Sequence, residues 1–335
     1  MKTNVEKEKN YGISILRVIL SFMVVIDHFY IKKKKYVYLL YYHIPTFFLI
    51  SFYYTHNTFV NSNISKIKLR FERLIIPYFC WSIISLVINN IYYYLFKRPC
   101  FHTINHFLAN LLNGHVLILP LWFQNILLQT TLLITIIVLS FKKRYLLIFL
   151  FLMILSYIFQ YSGINYQFFK EHYTVHYYLT YGRFFDTLPH SITGFLIASF
   201  KITKKLKNYH LYTICFSFGI LIFISYYTFD KDLKTFKYGG LRLNIAAICI
   251  FFLFFYSFNK LNNNKTKKCL EAITNYTAGI YFVHYLIGRS LIMKFFFDKK
   301  IKTIFGCIII YFNSYLLCLI MDKLFGKTKL KHLIK

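Results

Sequence analysis

Residues 12–30 read GISILRVILSFMVVIDHFY, an apolar run broken by Arg17, Asp27 and His28. Rising ~1.5 Å per residue, a helix of this length spans a hydrocarbon core ~30 Å thick. Nine further runs of similar character follow, at about 36–54, 74–96, 117–140, 145–161, 186–200, 211–229, 243–259, 274–293 and 303–321. A helix satisfies its own backbone hydrogen bonds in lipid, so the expected fold is an all-α, polytopic transmembrane bundle of about ten helices. The first run has no small-residue cleavage site and carries three ionisable residues, so it reads as a retained helix rather than a signal peptide.

Composition agrees. The 335 residues are 57% hydrophobic and 21% aromatic, too apolar for a soluble domain with a polar shell. The net charge of +30 is the one feature that suggests a nucleic-acid partner. Its distribution excludes that class. The lysines cluster between apolar runs, as at 32–35, 201–207 and 260–268, the pattern of loops that hold helices against anionic lipid. Lys and Arg are more numerous on one set of connecting segments than on the other, which places both termini in the cytoplasm and the chain in the cell membrane. The Lys32 to Lys35 cluster, directly after the first run, then falls on the outer side. Residues 1–335 are expected to form one membrane domain with no separate soluble part. The longest connection, 162–185, is rich in tyrosine. Seven cysteines show neither paired nor metal-ligand spacing, and no metal site is expected.

Within the first run, Arg17 and His28 are eleven positions apart, three helical turns plus about 20°, so both project from one face ~16 Å apart. Ser21 shares that face. Asp27 points ~100° away from His28, and whether it orients His28 is open. A charged arginine inside a membrane helix normally faces a bundle interior or a water-filled path. Snorkelling of Arg17 to headgroups and an interfacial His28 are the bland alternatives.

Other candidates have two readings each. Arg70 and Arg73, three apart on a helix at the cytoplasmic boundary, either contact donor phosphates or anchor the helix. Trp122, followed by Phe123, is either interfacial packing or a wall for a sugar ring. His284, in an otherwise apolar run with Arg289 beyond it, is either a substrate-pocket residue or a histidine packed on a neighbouring carbonyl. Asp186 stands at the start of its run near Arg183, where it would favour a helix N terminus. His172 and His176 have an i, i+4 spacing without a third ligand.

Arg17, ten residues and then His28 in the first helix resembles the hallmark of the acyltransferase-3 family. Five further blocks follow in order. His43-Ile-Pro45-Thr-Phe47-Phe48-Leu-Ile-Ser51 resembles the second-helix block, with Phe52 where the family has glycine. Arg70-Phe-Glu72-Arg73-Leu-Ile-Ile-Pro77-Tyr78, with Trp81, is similar to the basic start of the third helix. Leu121-Trp122-Phe123 matches a Leu-Trp-Phe block, with Gln124 in place of leucine. Leu188-Pro189 with Gly194, and Gly279-Ile-Tyr281-Phe-Val-His284, resemble two later blocks.

The resemblance implies a membrane acyltransferase that moves an acyl group, usually acetyl, from cytoplasmic acetyl-CoA or another acyl-CoA. The acceptor is a hydroxyl of a cell-surface glycan of the peptidoglycan, O-antigen or exopolysaccharide type. Acyl-CoA is then a co-substrate, no bound cofactor is needed, and the partners are the glycan and membrane lipid, not nucleic acid. For such chemistry His28 is the expected base or covalent acyl carrier, with Arg17 holding donor phosphate or carbonyl. The rival class is a transporter of glycans or lipid-linked sugars, which Arg17 and His28 would serve as pore lining. The lack of an internal repeat disfavours it.

Overall fold

The computed structural model describes residues 10–29, 42–96, 121–161, 175–227, 239–258, 263–288 and 304–334. Among these the elements are α1 (Tyr11–Phe29), α2 (His43–Val60), α3 (Ile64–Phe96), α4 (Trp122–Phe141), α5 (Tyr145–Tyr161), α6 (Val175–Ser199), the single turn α7 (Ile202–Lys205), α8 (His210–Tyr227), α9 (Leu241–Ser257), α10 (Asn264–Asn275), α11 (Thr277–Leu286) and α12 (Ile304–Phe325). Short 3-10 turns join some of them, and no strand occurs among the described residues. Where they are described, the ten apolar runs overlap helices, and the run 274–293 takes in the end of α10 and all of α11. Four helices, α1, α3, α4 and α12, are long and apolar enough to cross a membrane, and α5 and α9 are shorter apolar helices.

An outward apolar surface is visible in the packing. On α3, Ile75, Phe79, Ile83, Val87 and Ile91 are all exposed, one apolar residue per turn on one side. On α8, Leu211, Tyr212, Phe216, Phe218, Ile222 and Phe223 are exposed, and the helix packs chiefly on α9. Apolar stripes of this extent turned outward suit lipid, not water.

The interior is organised around α1, which packs against α2, α9, α10, α11 and α12. Its buried positions recur three and four apart, including Ile13, Leu16, Leu20, Val24 and Val25. On α12 the buried set Gly306, Ile310, Ser314 and Cys318 recurs every fourth residue, a mostly small-residue stripe against α11. At Gly279 of α11, a Cβ would press on Cys318 Sγ and the Ile334 backbone. Small residues permit such close approach.

Two prolines lie inside helices, and the bundle supplies hydrogen bonds near both. Pro189 has no N–H for the Phe185 carbonyl four residues earlier, and Gln160 Nε2 donates to that oxygen at 2.8 Å. Gln160 Oε1 accepts from the Gly240 N–H at 2.8 Å, so one amide ties α5, α6 and the start of α9 together. Beside Pro77, Gln124 Nε2 donates to the Leu74 carbonyl at 3.1 Å. A leucine at position 124 could not make this bond.

Two expectations change. Helix α6 begins at Val175, so the second half of the connection 162–185 is helical and Asp186 lies well inside the helix, not in its first turn. Hydropathy marks only the apolar end of α6, whereas its first turns are built from tyrosine, histidine and arginine. Phe52, in place of the family's glycine, is fully buried, and the close approach of α2 is made instead at Gly194 of α6, where a Cβ would run into the Leu49 carbonyl.

Candidate active site

The seam between α1 and α11 holds the residues singled out in the first helix. Arg17 Nη2 donates to Thr277 Oγ1 at 3.1 Å. Thr277 Oγ1 donates in turn to the Thr274 carbonyl at 3.0 Å. Eleven positions along α1, the His28 ring lies 5.3 Å from the ring of His284, with 34° between their planes. Thr277 and His284 are seven residues apart on α11, about 20° short of two turns, so a single face of α11 meets both Arg17 and His28. The period of α1 therefore turns both residues inward, toward protein.

His284 is fully buried. Its Nδ1 lies 3.0 Å from the Ile280 carbonyl, and its Nε2 has no hydrogen-bond partner among the described residues. Around His28 and His284 stand Phe29, Tyr281 and Tyr285, all within 6.4 Å by ring centres. Asp27 is close enough to act electrostatically on His284. One nitrogen of His284 is thus packed on a neighbouring carbonyl, and the other is buried.

Ser21 lies between the two ends of the seam, fully buried. Its Oγ donates to the Val18 carbonyl at 2.8 Å, and the Tyr311 hydroxyl of α12 is 2.8 Å away. The serine thus anchors α12 to α1.

Arg70 and Arg73 separate. Arg70 Nη2 donates to Ser51 Oγ on α2 at 2.5 Å, and its Nε is buried without a partner among the described residues. Arg73 is exposed, which suits anchoring at the headgroups. Arg17 acts electrostatically on Tyr54, one turn along α2 from Ser51. Among the described residues, the hydrogen bonds of both inner guanidinium groups run to hydroxyls, not to carboxylates. Guanidinium groups of this kind can also give charge-assisted hydrogen bonds to an anionic group.

Trp122 is nearly buried, and the Arg183 guanidinium sits 4.2 Å over its ring. One face of the indole is therefore taken by a cation–π contact. Phe123 reaches further toward the seam, 4.9 Å from Phe48 and 5.1 Å from Tyr281, which is 6.0 Å from His284. Of the sequence candidates, Arg17, Ser21 and His28 lie along one seam, His284 stands beside His28 with Asp27 near it, Arg70 reaches α2, and Trp122 is one aromatic layer away.

The sequence reading missed Thr277, Tyr311 and a buried polar cluster on α5, α6 and α9, and it gave Ser51 no role beyond its place in a block. In that cluster Asn244 Nδ2 donates to Tyr157 at 2.7 Å and to Thr193 at 3.0 Å, while His190 Nδ1 is 3.2 Å from Asn244 Oδ1. Thr277 stands two residues before the block at Gly279 and nothing in its own context marks it. Arg289, His102, His106, His115, His172 and Lys32 to Lys35 lie outside the described residues, and the side chain of His176 is likewise not described.

Among the described residues, the all-α architecture, the membrane-length apolar helices and the outward apolar surface are those of a helical membrane protein. Comparison of the sequence with known families gives the more specific result. The acyltransferase-3 family, described as an acyltransferase domain, matches residues 10–323. The chain belongs to that family, and it is a membrane acyltransferase. No curated protein and no solved structure matches it.

Proposed function

We propose that this acyltransferase moves an acyl group, acetyl in the expected case, from a cytoplasmic acyl-CoA to a hydroxyl of a cell-surface carbohydrate. The supporting observation is the shared seam, in which one face of α11 meets Arg17 at one end and the His28 ring at the other. With ten crossings and both termini in the cytoplasm, the Arg17 end faces the donor and the His28 end faces the outer acceptor. Arg17 and Arg70 then hold the phosphates of the donor by charge-assisted hydrogen bonds, and its thioester reaches along the seam to His28.

A sugar hydroxyl is a weak nucleophile near neutral pH and needs a placed base, a role that suits an imidazole. His28 takes the hydroxyl proton as the oxygen attacks the thioester carbon. The C–S bond breaks, the ester C–O bond forms, and the thiolate collects the proton. The ring contacts of Phe29, Tyr281 and Tyr285 shield this place from bulk water, which would otherwise hydrolyse the thioester.

Mass spectrometry of surface glycans from cells with and without the gene tests the reading. Loss of an O-acyl group from one glycan in the deleted strain is expected. Unchanged acylation, with altered export of the glycan, would replace the enzyme by a transporter.

A further inference from the structure

The proposed base must present a lone pair to the hydroxyl, and an imidazole has two nitrogens from which to choose. Something has to fix that choice for His28. His284 is the group placed to do so.

The partner of His284 Nδ1 is a carbonyl oxygen, an acceptor, so Nδ1 carries the hydrogen and donates. The lone pair of the neutral ring is therefore on Nε2. That nitrogen is buried with no partner among the described residues. A buried acceptor without a donor is costly, and such exceptions in native structures call for a use. The ring neighbours that could fill it are few. Phe29, at 6.1 Å, has no polar hydrogen. Tyr281 and Tyr285, at 6.0 and 6.4 Å, belong to the same helix as His284 and are farther off. His28, on the facing helix, is nearest at 5.3 Å. At that separation two imidazoles turned edge to edge bring their nitrogens to about 3 Å, a hydrogen-bond distance.

We propose that His284 is a positioning residue for His28: His284 Nε2 accepts an N–H hydrogen bond from the His28 ring, which leaves the lone pair on the other His28 nitrogen. The bond forms by rotation of the His28 ring, as catalytic hydrogen bonds often tighten from a looser resting geometry. This rests on the acyl-transfer reading for its purpose but not for its existence. His284 neither gains nor loses a proton in the reaction. It holds the His28 N–H while the opposite nitrogen takes the hydroxyl proton. Among the described residues, Asp27, Tyr281 and Tyr285 are further residues with polar groups that stand near the pair.

The test uses the full chain with 15N-labelled histidine in lipid nanodiscs, the His28 signals being those lost in His28→Gln. In the unsubstituted protein the His28 ring should hold one dominant tautomer. In His284→Phe it should become a mixture of both, while His284→Gln, whose amide oxygen still accepts, should keep one form dominant. His284→Leu replaces the Phe variant if that chain does not accumulate. In activity, His284→Phe or His284→Leu should lower kcat by on the order of 10²-fold with the donor KM unchanged, and His284→Gln should recover part of the loss. A His28 tautomer indifferent to the apolar substitutions overturns the proposal. The tautomer result stands by itself even if no acyl transfer is found, which would refute only the acyl-transfer reading.

Discussion

Arg17 of α1 and Arg70 of α3 converge on one turn of α2: Arg17 acts on Tyr54, and Arg70 donates to Ser51, three residues earlier. Inward-facing arginines are expensive to keep in a membrane protein unless hydrogen bonds or an opposite charge compensate them. Their convergence links the first helix to the third, and it separates Arg70 from Arg73, which the sequence presents as a pair.

That separation makes the two arginines distinguishable. Arg70→Gln should raise the KM for acyl-CoA about tenfold, the loss of one charge-assisted hydrogen bond of ~1.5 kcal/mol. Arg73→Gln should leave it within about twofold, since an exposed charge contributes little. Titration of the donor against each variant in membrane vesicles decides. Equal effects at both positions would point to anchoring, not donor contact.

Thr277 is the hydrogen-bond partner of Arg17. Thr277→Val keeps the shape and removes the acceptor, leaving a buried guanidinium N–H unpaired, and should destabilise the protein by about 1.5–3 kcal/mol. Thr277→Ser should restore both stability and turnover. Arg17→Lys should not restore activity, because an ammonium cannot reproduce the planar fork. Thermal unfolding in detergent and kcat/KM on the same samples measure the two effects.

Ser21 and Tyr311 form a testable pair. Ser21→Ala and Tyr311→Phe each remove a hydroxyl from one hydrogen bond. A double-mutant cycle on unfolding should give a coupling of about 0.5–1.5 kcal/mol. Acyl transfer should persist in both single variants, which would place Ser21 in the scaffold of the seam.

Two glycines separate close packing from open surface. Gly194→Ala puts a methyl group against the Leu49 carbonyl of α2 and should lower stability by about 1–3 kcal/mol. Gly219 of α8 has nothing within 4 Å of a Cβ, so Gly219→Ala should be neutral or stabilising by up to ~1 kcal/mol. Comparison of their melting temperatures with that of the unsubstituted chain checks both.

The legible part of this molecule was what hydropathy and helical period report. Apolar runs mark the helices, and the eleven-residue spacing puts Arg17 and His28 on one face of α1, the face that α11 meets. Helix ends were less visible, because hydropathy senses lipid contact and not helix formation. The polar first turns of α6 from Val175 and of α3 from Ile64 therefore read as connections. The partners were illegible for a different reason. Thr277 and Ser51 acquire their roles only through tertiary contact, and the same holds for the inward turn of Arg70 and the outward turn of Arg73. Gln124 was seen as a departure from the family block, but its bond to the Leu74 carbonyl beside Pro77 required the neighbouring helix.

The most direct measurement is acyl transfer by the purified protein in proteoliposomes, with labelled acetyl-CoA outside the exposed cytoplasmic face and surface glycan from the parent cells as acceptor. The unsubstituted chain should transfer label to glycan hydroxyls, and His28→Ala, at equal abundance and melting temperature, should lose at least about 10²-fold of that rate. Full transfer by His28→Ala would contradict the account at its centre.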